Sequence, residues 1–300
     1  MDLWNGIVMF ASKAIGRIRH SSEWRKSDVP LQFVAGYFSD VGPVREINED
    51  SVLLKEIPGV GTSSGSGLLA IVADGMGGHA HGEIASRLAC EMFAETVGGA
   101  VSADPKALLL QGIERANHLI FTEAGADAAK DGMGTTLTAL LALGGWAAIA
   151  HVGDSRAYLV RDGVLQRLTD DHTLVGQMQR DGLLTAAEAR EHPDRSIITR
   201  ALGLSDRVDA DVTEMPGGMF AGDRLCLCSD GLYDVIEEDE ILSTIEALPP
   251  NEACRRLVER AVEAGTTDNV SVIVIGVAEI RNGPVPKTAP HPVIEEEAGT

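Results

Sequence analysis

Five aspartates in this chain sit where strongly apolar runs begin or end. Asp50 stands just before Val52, Leu53 and Leu54; Asp74 follows 69–73, Asp154 follows 149–153, Asp230 follows 225–229, and Asp268 precedes 270–275. Apolar or alternating runs at 68–73, 137–143, 147–152, 157–160, 224–228 and 270–277 are closed by Gly or Asp, the punctuation of strands. Several are continuous instead of alternating, as in strands buried on both faces. Arg161-Asp162-Gly163 before Val164 marks a tight hairpin. Helical periodicity occupies 82–97, 105–124, 172–182, 185–191, 238–247 and 251–264, with Asp104-Pro105 reading as a cap followed by proline at the first helical position. There is no internal repeat. Antiparallel groups of strands with helices between them predict an α+β fold: two antiparallel β-sheets sandwiched between helix layers (α-β-β-α), in a single domain with a flap subdomain.

At 44% hydrophobic and 23% charged residues, a chain of 300 can bury a sizeable core. Its net charge of -20 argues against nucleic acid, because no basic excess exists to neutralise phosphates. That charge has a bland reading, solubility through self-repulsion, and a sharper one, carboxylates gathered around metal ions. No apolar run is long enough to span a bilayer, and the N-terminal charges follow the apolar stretch instead of preceding it as in a secretory signal. Cys90, Cys226, Cys228 and Cys254 form no CxxC pair and fit buried thiols in a reducing cytoplasm. Residues 1–30 carry Leu3, Ile7, Phe10, Ala11, Ala14, Ile15 and Ile18 at helical spacing and predict a short amphipathic helix. Docking on its own domain is the favoured reading; a basic helix resting on a membrane or partner is the alternative. Residues 281–300, with Pro284, Pro286, Pro290 and Pro292 and then Glu295 to Glu297, read as a flexible tail.

Any single Asp-Gly pair is ordinary turn chemistry. Five carboxylates at strand ends, brought together by the sheets, would repel one another unless a cation neutralised them. Hard oxygen ligands without His or Cys clusters point to Mg²⁺ or Mn²⁺, and two such ions suit chemistry on a phosphate. Ligand type does not distinguish the two metals, and nothing in this pattern names a substrate.

The ordered motifs Arg45-x-x-x-Glu49-Asp50, Ala73-Asp74-Gly75-Met76-Gly77-Gly78-His79, Met133-Gly134-Thr135-Thr136, Gly153-Asp154-Ser155-Arg156, Ser229-Asp230-Gly231-Leu232 and Asp268-Asn269-Val270-Ser271 resemble the bacterial-type, metal-dependent serine/threonine protein phosphatases of the protein phosphatase 2C class. The resemblance covers about residues 32–279. It implies hydrolysis of phosphoserine and phosphothreonine on proteins by a metal-bridging hydroxide, opposing serine/threonine kinases in the cytoplasm. In that scheme Asp74 bridges two ions, the Gly75 carbonyl completes one of them, and Asp230 and Asp268 bind the other. Glu49 and Asp50 hold metal-bound waters, Arg45 grips the substrate phosphate and His79 protonates the leaving oxygen. A third, looser ion would take Asp154 with Asp230.

His81 reads as a solvated residue at a helix start, Asn269 as ordering the Asp268 turn, and Arg156 as making structural salt bridges. Cys226 and Cys228 read as core. Residues from about 170 to 200 correspond to the family's flap, a mobile polar subdomain in which His172, His192 and Arg195 are expected in solvent, contact with substrate being the alternative. Ile47 stands where the family suggests a polar residue. Two alternatives share the motifs: a catalytically dead phosphoprotein-binding regulator, against which the retention of Asp74, Asp230 and Asp268 argues, and a phosphatase of a small metabolite. A monomer is the default.

Overall fold

The structure is a computed structural model that describes residues 7–9, 31–57, 67–77, 81–99, 104–127, 130 and 132–280. Its elements, in chain order, are β1 (Ile7–Met9), β2 (Leu31–Asp40), β3 (Asp50–Ile57), β4 (Gly67–Met76), α1 (His81–Gly99), α2 (Pro105–Ala126), β5 (Gly134–Thr135), β6 (Leu137–Leu143), β7 (Trp146–Val152), β8 (Arg156–Arg161) and β9 (Val164–Arg167). There follow α3 (Leu174–Arg180), α4 (Ala186–Glu191), β10 (Asp211–Glu214), β11 (Arg224–Cys228), α5 (Asp230–Tyr233), α6 (Glu238–Ala247), α7 (Pro250–Glu263) and β12 (Val270–Glu279).

Among the described residues the strands make two sheets, one in the order β1-β2-β12-β11-β8-β9 and the other β10-β7-β6-β4-β3, with β5 attached to β4. Every ladder is antiparallel. The period of two along each strand sorts side chains between layers. In β4, Leu69, Ile71 and Ala73 pack beneath α1 and α2, whereas Leu68, Ala70 and Val72 face the other sheet. In β11 and β12, Leu225, Leu227, Ile273 and Ile275 meet that face. Cys226, Cys228, Val272 and Val274 turn outward against Leu257 of α7 and Ile241 of α6. The layer order is therefore helices, sheet, sheet, helices, as expected. All four cysteines are buried and unbridged.

Local sequence accounts for the element ends. The Asp104 side chain accepts from the Lys106 and Ala107 amides and Pro105 opens α2, as the Asp-Pro pair predicts. Asp162 at φ 54° and Gly163 at φ 75° form the two-residue turn between β8 and β9, the left-handed pair that such hairpins need. Thr185 and Glu188 form a capping box on α4.

The N-terminus departs from expectation. Ile7–Met9, read as part of an amphipathic helix, is a strand paired to Val34–Gly36 of β2. A run of three apolar residues with two β-branched members suits a ladder, and the free edge of β2 supplies backbone partners that an isolated helix lacks. The rest of 1–30, and the tail 281–300, lie outside the described residues. Among the described residues no helix is long and apolar enough to cross a membrane.

Candidate active site

The two-residue period that fills the gap between the sheets also delivers the acids to one end of it. Asp74 continues the Leu68, Ala70, Val72 face of β4, and Asp50 continues the Val52, Leu54 face of β3. The two are cross-strand partners in the β3–β4 ladder. From the opposite sheet, Asp230 opens α5 just beyond β11, and Asp268 lies two residues before β12. Asp154 follows β7. Neighbouring strands thus close a pit of carboxylates where the apolar seam stops.

Side chains and amides hold the main chain at each position. The Asp74 amide donates to Thr136 Oγ1 (2.9 Å), and its carbonyl accepts from Thr135 Oγ1 (2.8 Å) and from the Thr136 amide (2.8 Å). The Gly75 amide donates to the Glu49 carbonyl (3.1 Å), which also accepts from Ser86 Oγ (2.6 Å). A Cβ on Gly75 would collide with the Gly82 carbonyl, so only glycine lets β4 pass this close to the start of α1. Ser229 Oγ donates to Asp50 Oδ2 (2.7 Å) across the gap between the sheets. The Asn269 side chain ties the loop 41–49 to the Asp268 turn: Nδ2 donates to the Val41 (2.8 Å) and Ile47 (3.0 Å) carbonyls, and Oδ1 accepts from the Glu49 amide (2.8 Å). Arg45, on that loop, lies 2.7 Å from Asp268 Oδ2 and is half exposed.

Burial makes this collection costly. It pushes the Asp50 carboxyl up to about 6 and that of Asp154 up to about 7, Asp171 adding to the latter. Asp74 and Asp230 are driven well above the usual carboxylate range, first by burial and then by one another's neighbours, including Asp50, Asp154 and Asp268. Glu49 is raised chiefly by burial too. Oδ1 of Asp50, Oδ1 of Asp154 and Oδ1 of Asp230 are buried with no hydrogen-bond partner. Buried acceptors with raised proton affinity and nothing to accept from fit a divalent cation, which restores the charged form of each. Among the described residues no three acidic or histidine side chains close on one point as a finished ligand set. Mg²⁺ is usually held by only one or two carboxylates, with waters completing its shell.

The structure brings Asp50, Glu49, Asp74, Gly75, Asp154, Asp230, Asp268 and Arg45 to this one region. His79 lies outside the described residues. Arg156 makes the structural pair expected of it, bidentate to Asp171 (3.0 and 2.6 Å), with its guanidinium 3.5 Å over the Tyr233 ring. His172, expected in solvent, is 1% exposed. It is enclosed because Gly153, Asp211 and Thr199 converge on it from three segments. Ser229, Thr135 and Tyr233 are supporting residues that sequence reasoning left without a role. The first two sit inside quoted motifs, and position was their only signal.

A family model for protein phosphatase 2C matches residues 46–271. The chain belongs to that family. Among relatives of this phosphatase-family chain, the serine/threonine protein phosphatase PstP of Mycobacterium tuberculosis is 40% identical over 245 residues, 82% of this chain and 45% of PstP. The chain therefore spans about half the length of that relative. The serine/threonine phosphatase stp of Listeria monocytogenes is 34% identical over 248 residues, 80% of this chain and 94% of the relative. A solved catalytic domain of PstP in complex with two manganese ions superposes with a TM-score of 0.71 at 37% identity, covering 83% of this chain and 99% of that domain. The two-sheet fold is thus that of solved protein phosphatase 2C structures.

Proposed function

We propose that this protein hydrolyses phosphoserine and phosphothreonine esters on proteins with Mn²⁺ or Mg²⁺, opposing serine/threonine kinases in the cytoplasm as a monomer. The observation that carries the reading is the set of buried, partnerless carboxylate oxygens on Asp50, Asp154 and Asp230 in a family whose PstP member is solved with two manganese ions. Asp74, the Gly75 carbonyl, Asp230 and Asp268 would hold the two ions, and Asp154 with Asp230 would hold a third. Bound ions would activate a water as nucleophile and offset the charge developing on the phosphoryl oxygens.

The chain's own residues do the rest. Glu49 and Asp50 orient water by accepting hydrogen bonds from it, Asp50 itself being aimed by the Ser229 hydroxyl. The Arg45 guanidinium, half exposed on its loop, exchanges Asp268 for two phosphate oxygens, which its planar fork matches. His79 supplies the proton to the departing serine or threonine oxygen. We assign residues 31–280 to the catalytic domain and about 170–200 to its flap.

Phosphate release from a phosphothreonine peptide, measured with Mn²⁺, with EDTA, and for Asp230→Asn in Mn²⁺, tests this. Activity is expected only for the unaltered chain with metal, the variant falling at least ~100-fold, because a ligand contributes more than the 10- to 100-fold typical of its supporting residues. Turnover that survives chelation and substitution sinks the assignment. A panel of small phosphorylated metabolites run beside the peptide separates a protein substrate from a metabolite.

A further inference from the structure

Asp154 is held by its main chain while one oxygen of its carboxylate is left without a partner. Gly153, which precedes it, turns at φ +110°, and a Cβ there would press on Thr136. Both backbone groups of Gly153 go to a single residue: its amide donates to His172 Nδ1 (3.1 Å), and its carbonyl accepts from the His172 amide (2.8 Å). On the far side, the Asp154 carbonyl accepts from Tyr233 Oη (3.0 Å). No hydrogen bond reaches Asp154 Oδ1.

His172 is itself fixed from three directions. With Nδ1 accepting from an amide, the ring proton is assigned to Nε2, which then donates to Asp211 Oδ2 of β10 (3.1 Å); Arg200 Nη1, itself 3.6 Å from Asp211 Oδ1, lies 3.2 Å from the same nitrogen. The His172 carbonyl accepts from the Thr199 amide (2.7 Å) and Thr199 Oγ1 (2.9 Å), where the chain leaves the flap. The ring packs against His151 at 4.7 Å between centroids. A buried imidazole locked this firmly is a rigid template for the backbone it holds.

We propose that His172 is a positioning residue for the third cation: by accepting from the Gly153 amide through Nδ1, it sets the direction in which Asp154 presents its carboxylate. The inference rests on the assignment of Asp154 as an ion ligand. It makes the base of the flap part of the cation site, because the residue that orients Asp154 also receives the returning chain at Thr199.

The chemistry of the two ring nitrogens supplies the test. In His172→Asn the side-chain oxygen falls near Nδ1 and keeps the Gly153 contact. In His172→Gln the polar end falls near Nε2 and loses it. Mn²⁺ binding is followed by electron paramagnetic resonance of the free ion in full-length protein, for the unaltered chain, both His172 variants, Asp154→Asn and Asp211→Asn. A weak class of site that Asp154→Asn removes is expected. His172→Gln should weaken that class about tenfold or more, the usual effect of losing a group that orients a ligand, while His172→Asn and Asp211→Asn retain it. Equal thermal melting of the Asn and Gln variants excludes a general loss of structure as the cause. Equal loss of the weak class in both variants, or retention in His172→Gln, overturns the proposal. Absence of any Asp154-dependent class in the unaltered protein defeats the ion assignment beneath it instead, and the proposal with it.

Discussion

Arg45 pairs with Asp268 at 2.7 Å while remaining half exposed, and so is available to a ligand arriving from solvent. Replacing it with alanine removes a charged contact that contributes roughly 1.5–3 kcal/mol. Arg45→Ala is therefore expected to raise KM for a phosphopeptide about ten- to a hundredfold, with Arg45→Lys recovering part of the loss. Steady-state kinetics on the two variants check this; an unchanged KM in both would remove Arg45 from the phosphate site. At this scale the acids were legible in the sequence because each interrupts an apolar run. Their supports were not. Ser229 reaches Asp50 across 179 residues of chain, and His172 meets Gly153 from 19 residues away. Neither partnership leaves a local trace. The exposure of His172 was misjudged because its neighbours Asp170, Asp171 and Thr173 read as polar loop, whereas burial was decided by Asp211, 39 residues on.

The elements most faithful to the sequence are those whose signal is local. α2 begins and caps where Asp104-Pro105 predicts, and α6 spans the residues its periodicity marked. Asp104→Ala leaves the Lys106 and Ala107 amides without their side-chain acceptor, and a cost of about 1 kcal/mol in folding stability is expected, measured by urea unfolding. β2 and β10 were not anticipated. Leu31, Phe33 and Ala35 do alternate, but Gly36 and the polar Ser39-Asp40 dilute the pattern, and what fixes the strand is its ten-residue register with β12. β10, Asp211–Glu214, has almost no apolar content and exists as a partner for the edge of β7. Pairings made so far along the chain carry no local propensity to read.

Taken as a whole, the molecule stores a pH response in its buried histidines. Burial, with His172 alongside, pushes His151 down to about 4 from 6.5. The unfolded chain then binds this proton more readily than the folded one between those values, so stability is full above pH 6.5 and falls as pH drops towards 4. The loss amounts to at most about 3 kcal/mol. Gln retains a donor for the Asp170 carbonyl, which His151 Nε2 contacts at 3.0 Å, but does not titrate. The stability advantage of the unaltered chain over His151→Gln should therefore shrink between pH 7 and pH 4.5 in urea unfolding. A constant difference across that range would show that His151 does not titrate differently on folding. The layer order was legible at this scale because runs buried on both faces demand covering from both sides; the pairing of sheet edges was not.

The two sheets contribute unequally in time. β12 is the last strand along the described chain, yet it lies between β2 and β11 in the interior of its sheet, with Asp268 just before it. During synthesis, everything ahead of residue 268 can emerge while that sheet still has a gap at its centre and the carboxylate pit lacks one wall. On the function proposed above, a ribosome-bound chain would release no phosphate before β12 is out. Fragments left by premature termination ahead of Val270 would be inert for the same reason.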